Sequence, residues 1–373
     1  MYRVLIRSKL DYGCFIYDNT SHSIKRTLDT VHHSAIRIAT GAFRTTPVDS
    51  LLADAHEPPL GLRREALGMR YALKLRQFPF HPSYGAVYSS GFRSIFGHPT
   101  DTRRSKPAPF CLRMQTLFAE SGIRPRDVIR MDSHVVGTPP WRLVTPEVDV
   151  SLAATRKRDV PGPVLKAGAL EHIASYGDCV ACYTDGSKTD VGVGCAFVCD
   201  GSVRSFTLPR QTSVFTSELV AIQKLLCYIE VDSGNSYLIM SDSLSSLMAL
   251  RSFNPTGPIV QDILQKLTGL AREGKRVRLC WIPSHVGIQG NETADLAARR
   301  ASERPHLHRF PLPARDFFPT IKAFLHSKWQ SRWDGCLGNK LLSLKPTLAP
   351  WASSMRKNRR DEVVLCRLTV IEY

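Results

Sequence analysis

Between residues 179 and 302 short β-rich runs alternate with helical ones in an order that few folds accept. Residues 179–184, 191–199 and 202–208 are apolar runs punctuated by Asp185-Gly186 and Asp200-Gly201, and such turn-forming pairs favour an antiparallel meander. From 216 to 229 the stripe Leu219, Ile222, Leu226 and Ile229 has helical spacing. A strand at 237–240, helices at 245–250 and 259–271, a strand at 277–282 and a last helix at 291–302 complete the set. That helix carries Ala294, Ala297, Ala298 and Ala301, a small-residue face suited to close packing. The order βββαβααβα predicts an α/β fold, a mixed sheet covered by helices on both faces.

The rest of the chain has a different texture. Residues 1–80 read as a helical fragment: Ile24, Leu28, Val31, Ala35 and Ile38 recur at helical spacing before Gly41, Thr46-Pro47 starts a second helix that Pro58-Pro59 ends, and residues 62–75 form a third, basic run. Residues 81–170 read as an irregular Pro/Gly/Arg-rich linker, with breaks at Pro139-Pro140 and Pro161-Gly162-Pro163. The α/β module occupies 171–305 and a basic tail with short helices 306–373.

Charge follows the same division. The chain of 373 residues carries a formal +17. Residues 176–303 hold twelve Lys/Arg against thirteen Asp/Glu, a net of −1, which leaves +18 for the flanks. A near-neutral module between basic arms points to a polyanionic partner. No run approaches the roughly 20 apolar residues that span a bilayer, and the start is too charged for a signal peptide, so the expectation is an intracellular protein without a membrane partner. The ten cysteines are scattered among apolar residues, as reduced core thiols are. Cys179 and Cys182, with Cys195 and Cys199, could suggest zinc, but in an extended strand Cys179 and Cys182 face opposite ways. His32-His33 has no acid or cysteine at ligand spacing and reads as structural.

Four acids fall where the architecture would gather them. Asp185 ends the first strand, Glu218 lies in the first turns of the first helix, Asp242 follows the apolar strand, and Asp295 lies near the start of the last helix. Strand ends of α/β sheets are where ligand sites form. Each acid also has a plain reading: turn former, helix cap, or partner of a helix dipole. Glu218, however, shares its side of the helix with Ile222, Leu225 and Ile229, and a carboxylate beside a buried stripe needs a counter-charge. A cluster of carboxylates repels itself until divalent cations remove the repulsion. Two magnesium ions about 3.5–4 Å apart would serve phosphodiester hydrolysis, with manganese as the alternative and zinc disfavoured by hard oxygen ligands. His285 stands ten residues before Asp295 in a loop bounded by Gly287 and Gly290. Imidazoles exchange protons near neutral pH, so beside such a cluster it would act as a shuttle or a product-release helper.

Tyr183-Thr-Asp185-Gly-Ser, Thr216-Ser-Glu218-Leu, Ser241-Asp242-Ser and Ser284-His285-Val-Gly-Ile-Gln-Gly-Asn-Glu-Thr-Ala-Asp295 resemble the successive motifs of type 1 ribonuclease H. The resemblance implies a five-stranded ribonuclease H fold, two-metal hydrolysis of the RNA strand of an RNA–DNA hybrid, Asp185, Glu218, Asp242 and Asp295 as metal ligands, and His285 as the assisting histidine. Unlike bacterial members, the chain has no long basic helix between Ala249 and Val277. Hybrid selectivity is expected from the Gly186 and Ser187 backbone and the hydroxyls of Thr216, Ser217 and Ser243, since the 2′-OH distinguishes RNA from DNA.

The flanks resemble retrotransposon proteins. Leu5-Ile-Arg-Ser-Lys-Leu-Asp-Tyr-Gly13, Thr40-Gly-Ala-Phe-Arg-Thr-Thr-Pro47 and Glu57-Pro-Pro-Leu60 look like the region after the polymerase core of non-LTR reverse transcriptases. Trp329, Trp333 and Glu362-Val-Val-Leu-Cys-Arg-Leu368 are similar to the segment after ribonuclease H in such elements. No Tyr-x-Asp-Asp polymerase motif is present, which predicts a truncated reading frame without polymerase activity; a monomer is expected. The alternative is a non-catalytic nucleic-acid-binding remnant of a decayed element.

Overall fold

The computed structural model describes residues 2–89, 91, 108–131, 139–154, 159–252, 257–305, 310–350 and 358–370. Much of the expected linker, 92–107, 132–138 and 155–158, lies outside the described residues, as do 371–373. The chain forms two compact units, one of residues 77–80 and 126–316, the other of 1–76, 81–125 and 317–373.

The first unit is built on a six-stranded sheet in the order β1-β6-β5-β2-β3-β4. Its strands are β1 (Glu147–Asp149), β2 (Val180–Lys188), β3 (Val193–Cys199), β4 (Ser202–Leu208), β5 (Ser236–Ser241) and β6 (Arg276–Trp281). β2, β3 and β4 form the antiparallel meander, while β5 pairs parallel with β2 and β6, and β1 pairs parallel with β6. The helices are α1 (Gly162–Ala174), α2 (Val214–Val231), α3 (Leu244–Arg251), α4 (Pro258–Arg272) and α5 (Gln289–Ser302).

Period-two alternation divides the strands between two apolar layers. Tyr237 and Ile239 of β5 join Ile222, Leu225 and Ile229 of α2 and Ile263 and Leu267 of α4 on one face. Leu238 and Met240 join Ala169 of α1, Cys280, Ile282 and Ile288 on the other. The alanine face of α5 lies against the meander so closely that a β-carbon on Gly194 would stand 2.2 Å from the Ala298 carbonyl oxygen. Burial of Ala294, Ala298 and Ala301 at 0% exposure follows from that approach.

Two elements of this unit depart from the sequence reading. The sheet has a sixth strand, β1, inside the stretch read as linker; three residues after a proline carry no periodicity to detect. Pro161-Gly162-Pro163 was expected as a break, yet α1 starts there with a proline in its first turn, where the missing N–H has no intrahelical partner to lose.

The second unit is helical. Its longer helices are His22–Thr40, Leu60–Gln77, Phe110–Ser121, Phe318–Asp334 and Arg359–Val370, so residues before and after the α/β module fold together. Ile36, Leu51, Leu52, Trp329, Trp333 and Leu341 share one core. Gly41 ends the first helix at φ 77, its amide donating to the Arg37 carbonyl. Of the apolar positions at helical spacing on that helix, Ile24, Val31 and Ile38 are 53%, 45% and 81% exposed and Leu28 and Ala35 are half-buried, while Ile36 and His32 are buried. Periodicity established the helix; the Tyr2 hydroxyl bonded to His32 Nδ1 shows which face the core took. Burial holds the His32 imidazole down at about 4, consistent with a neutral structural ring.

Candidate active site

The carboxylates meet where the parallel strands end. Asp185 lies in β2 opposite Ala196 of β3, and its neighbour Thr184 pairs with Ser241, one residue before Asp242. The chain can leave β5 beside β2 because Trp281 Nε1 donates to the Asp242 carbonyl at 3.0 Å, tying the ends of β5 and β6 together. Glu218 arrives from above on α2. Its helix seats directly on β2 because residue 186 is glycine: a β-carbon there would stand 2.5 Å from Ser217 Oγ and 2.6 Å from the Glu218 amide. Asp185, Glu218 and Asp242 each offer an oxygen, and those atoms all lie within 4.8 Å of one another.

Asp185 and Glu218 are 6% and 5% exposed, and the charges that act on them are those of other acids. Burial first, then the charges of Asp242 and Asp295, raises the Asp185 carboxyl to about 7. Glu218 is pushed well above the carboxylate range by burial and then by Asp185 and Asp242, with the Gly186 amide only partly offsetting it. Its Oε2 has no hydrogen-bond partner. Asp242 is raised mainly by burial, opposed by a hydrogen bond from Asn291 and the charge of His285.

Asp295 and His285 form the outer side of the site. The structure groups Asp295 with His285 and Glu292, ligand atoms within 4.8 Å, rather than with the buried three, although its charge acts on all of them. His285 Nδ1 is 3.9 Å from Asp295 Oδ2, and its side chain is 65% exposed. The loop that presents it turns through left-handed conformations at His285 (φ 51) and Gly287 (φ 84), and the Gly287 amide donates to Glu292 Oε1 at 3.1 Å. Gly290 lets α5 begin against β2, since a β-carbon there would lie 2.1 Å from the Tyr183 ring.

Of the residues expected to touch substrate, Ser187 and Ser243 are partly exposed. Gly186, Thr216 and Ser217 are buried. The Ser217 hydroxyl donates to the Val214 carbonyl and the Thr216 hydroxyl to Asp316, so both are engaged in holding the first turn of α2. Sequence reasoning passed over Asn291, which is 1% exposed and hydrogen-bonds Asp242. Its signal was available: a polar residue at the start of a helix whose inner face is otherwise alanine. Cys182, Cys195 and Cys199 are buried and all ten cysteines are free, while the metal-capable clusters among the described residues contain none of them.

Residues 178–303 match the family described as RNase H, so the chain carries an RNase H domain over that span. No curated protein matches the chain. Among the described residues no helix is long and apolar enough to cross a membrane.

Proposed function

We propose that this domain hydrolyses the RNA strand of RNA–DNA hybrids with two divalent cations, magnesium in the first place. The observation that carries the reading is the convergence of three carboxyls, two of them buried, on one point. The donor set suits a hard ion: every ligand is oxygen, and Glu218 Oε2 is a buried acceptor with nothing to accept from. Asp185, Glu218 and Asp242 would hold the ions, with Asp295 completing the set from α5. When bound, the ions supply activation of water and compensation of charge on the leaving oxygen.

The chain's own groups do the rest. Asn291 steers Asp242 by donating to it, and the Gly186 backbone amide restrains Asp185 and Glu218. His285, exposed at the rim beside Asp295, would carry a proton between solvent and the reacting phosphate. The Ser187 backbone and the Ser243 hydroxyl are the groups left to recognise a 2′-OH. Affinity for the polyanion comes from the flanks, which carry +18 against −1 for residues 176–303. We read those flanks as retroelement-derived, on the motif resemblance alone.

A labelled hybrid incubated with the purified chain tests this. Magnesium-dependent cleavage of the RNA strand, absent in chelator and absent on duplex DNA, is expected. The basic flanks favour one competing reading, a binding remnant; salt-sensitive hybrid binding with no turnover at any magnesium concentration would establish it instead.

A further inference from the structure

The helix that delivers Glu218 starts in a polar cluster that the site does not use. Ser213 caps α2: its Oγ accepts from the Thr216 amide at 3.2 Å and donates to Asp316 Oδ1 at 2.9 Å. The Thr216 hydroxyl donates to the same oxygen at 3.1 Å. Asp316 is 4% exposed, and such a carboxylate at the positive end of an 18-residue helix is favourably placed against the dipole. From the other side Lys188 Nζ donates to the Thr212 carbonyl at 2.8 Å, and its charge also acts on Asp316. Lys188 closes the strand that contains Asp185. The start of α2 is therefore held between the end of β2 and a residue thirteen positions beyond the matched span, which ends at 303.

What makes this matter is Glu218 itself. Two residues after Thr216, its Oε2 has no hydrogen-bond partner and the Gly186 amide is the group that restrains its carboxyl, so where the carboxyl lies depends on how the helix backbone is seated on β2. We propose that Asp316 is a positioning residue: by fixing the first turn of α2 it holds the Glu218 carboxyl in register with Asp185 and Asp242, and the divalent-ion site depends on it. The proposal rests on the reading above that those carboxyls bind divalent ions. Without Asp316 the hydroxyls of Ser213 and Thr216 lose a buried acceptor. They would then turn to nearby carbonyls or admit water, and the first turn would loosen.

The test uses the full chain with Asp316→Ala and Asp316→Asn. Two quantities are read: magnesium affinity by calorimetric titration, and hydrogen exchange of the 213–219 backbone. Asp316→Ala should weaken magnesium binding about ten- to a hundredfold, the range seen when a partner behind a metal ligand is removed. Exchange should accelerate at 213–219 while the 236–241 strand stays protected. Asp316→Asn keeps an acceptor oxygen and should retain most of both properties. Should the alanine variant not fold, Thr216→Val, which removes one of the two donors, should show the same pattern at reduced size. Wild-type magnesium affinity in a folded Asp316→Ala protein would overturn the proposal, and so would protection lost evenly across the sheet, which marks a merely structural role. If the wild-type chain itself binds no magnesium, the metal-site reading fails and takes the proposal with it; binding that ignores Asp316 defeats the proposal alone.

Discussion

Both units bury carboxylates, and they treat them in opposite ways. In the helical unit Glu57, 3% exposed, accepts from Arg3 and from Arg7 at 2.9 and 3.0 Å, and Asp18 is met by Arg64 at 2.7 Å, by Arg113 and by Lys25. In the α/β unit Asp185 and Glu218 are as deeply placed, but their ionisable neighbours are other acids. A buried charge that serves the fold arrives with its partner in the chain; the cluster that lacks one is what the proposed metal-site reading explains.

The difference can be broken most directly at Asp185. Asp185→Asn should lower hybrid cleavage by about a thousandfold or more, as removal of one member of a concerted site does, while making the metal-free protein more stable because repulsion is relieved. Near wild-type turnover in that variant would end the assignment. His285→Ala should cost about a hundredfold in turnover and leave magnesium binding unchanged, because the imidazole assists from the rim; a loss of metal affinity in a titration would show that it is a ligand instead.

The paired acids should respond in the reverse sense. Glu57→Gln is expected to destabilise the helical unit by about 1–3 kcal/mol in denaturant unfolding, less than for a fully enclosed pair because Arg3 is 59% exposed, and to leave cleavage unaffected. A stabilising effect there would erase the contrast.

The smallest effect is on pH. The Asp185 value of about 7 lies above its ordinary 3.8, so the folded chain binds the proton more tightly. The stability this group contributes is then complete below about pH 4 and is lost as pH rises through 7. Thermal scans of wild type against Asp185→Asn in chelator should show the wild type falling relatively as pH rises from 5 to 8, and magnesium should raise its Tm more at pH 8 than at pH 6. A relative gain with pH in chelator would contradict the buried, unpaired state of the cluster.

How far the sequence could be read depended on how local the determinant was. The strands and helices of the module follow from periodicity and turn chemistry, and residues 202–208 were bounded as the structure has them. The four acids and His285 stand out through motif spacing, and the structure brings Asp185, Glu218 and Asp242 together. In the sequence Thr216 and Ser217 read as substrate contacts because a hydroxyl near a site looks available; only packing shows that the Thr216 hydroxyl donates to Asp316, a hundred residues on. β1 was invisible for a related reason: a three-residue strand draws its stability from the ladder it joins, and that ladder is β6, more than a hundred residues away.

By itself the sequence determined the order of elements, the chemistry of the acids and the helical nature of the flanks, because each is set by residues within a few turns of one another. Tertiary structure alone decided which face of the His22–Thr40 helix is buried, that residues 317–373 fold with the N-terminal helices, and that three acids spread over 58 residues share one point. Those outcomes belong to burial and pairing between distant segments. A chain carries no local record of which of its apolar stripes or charges will find a partner once the whole has closed.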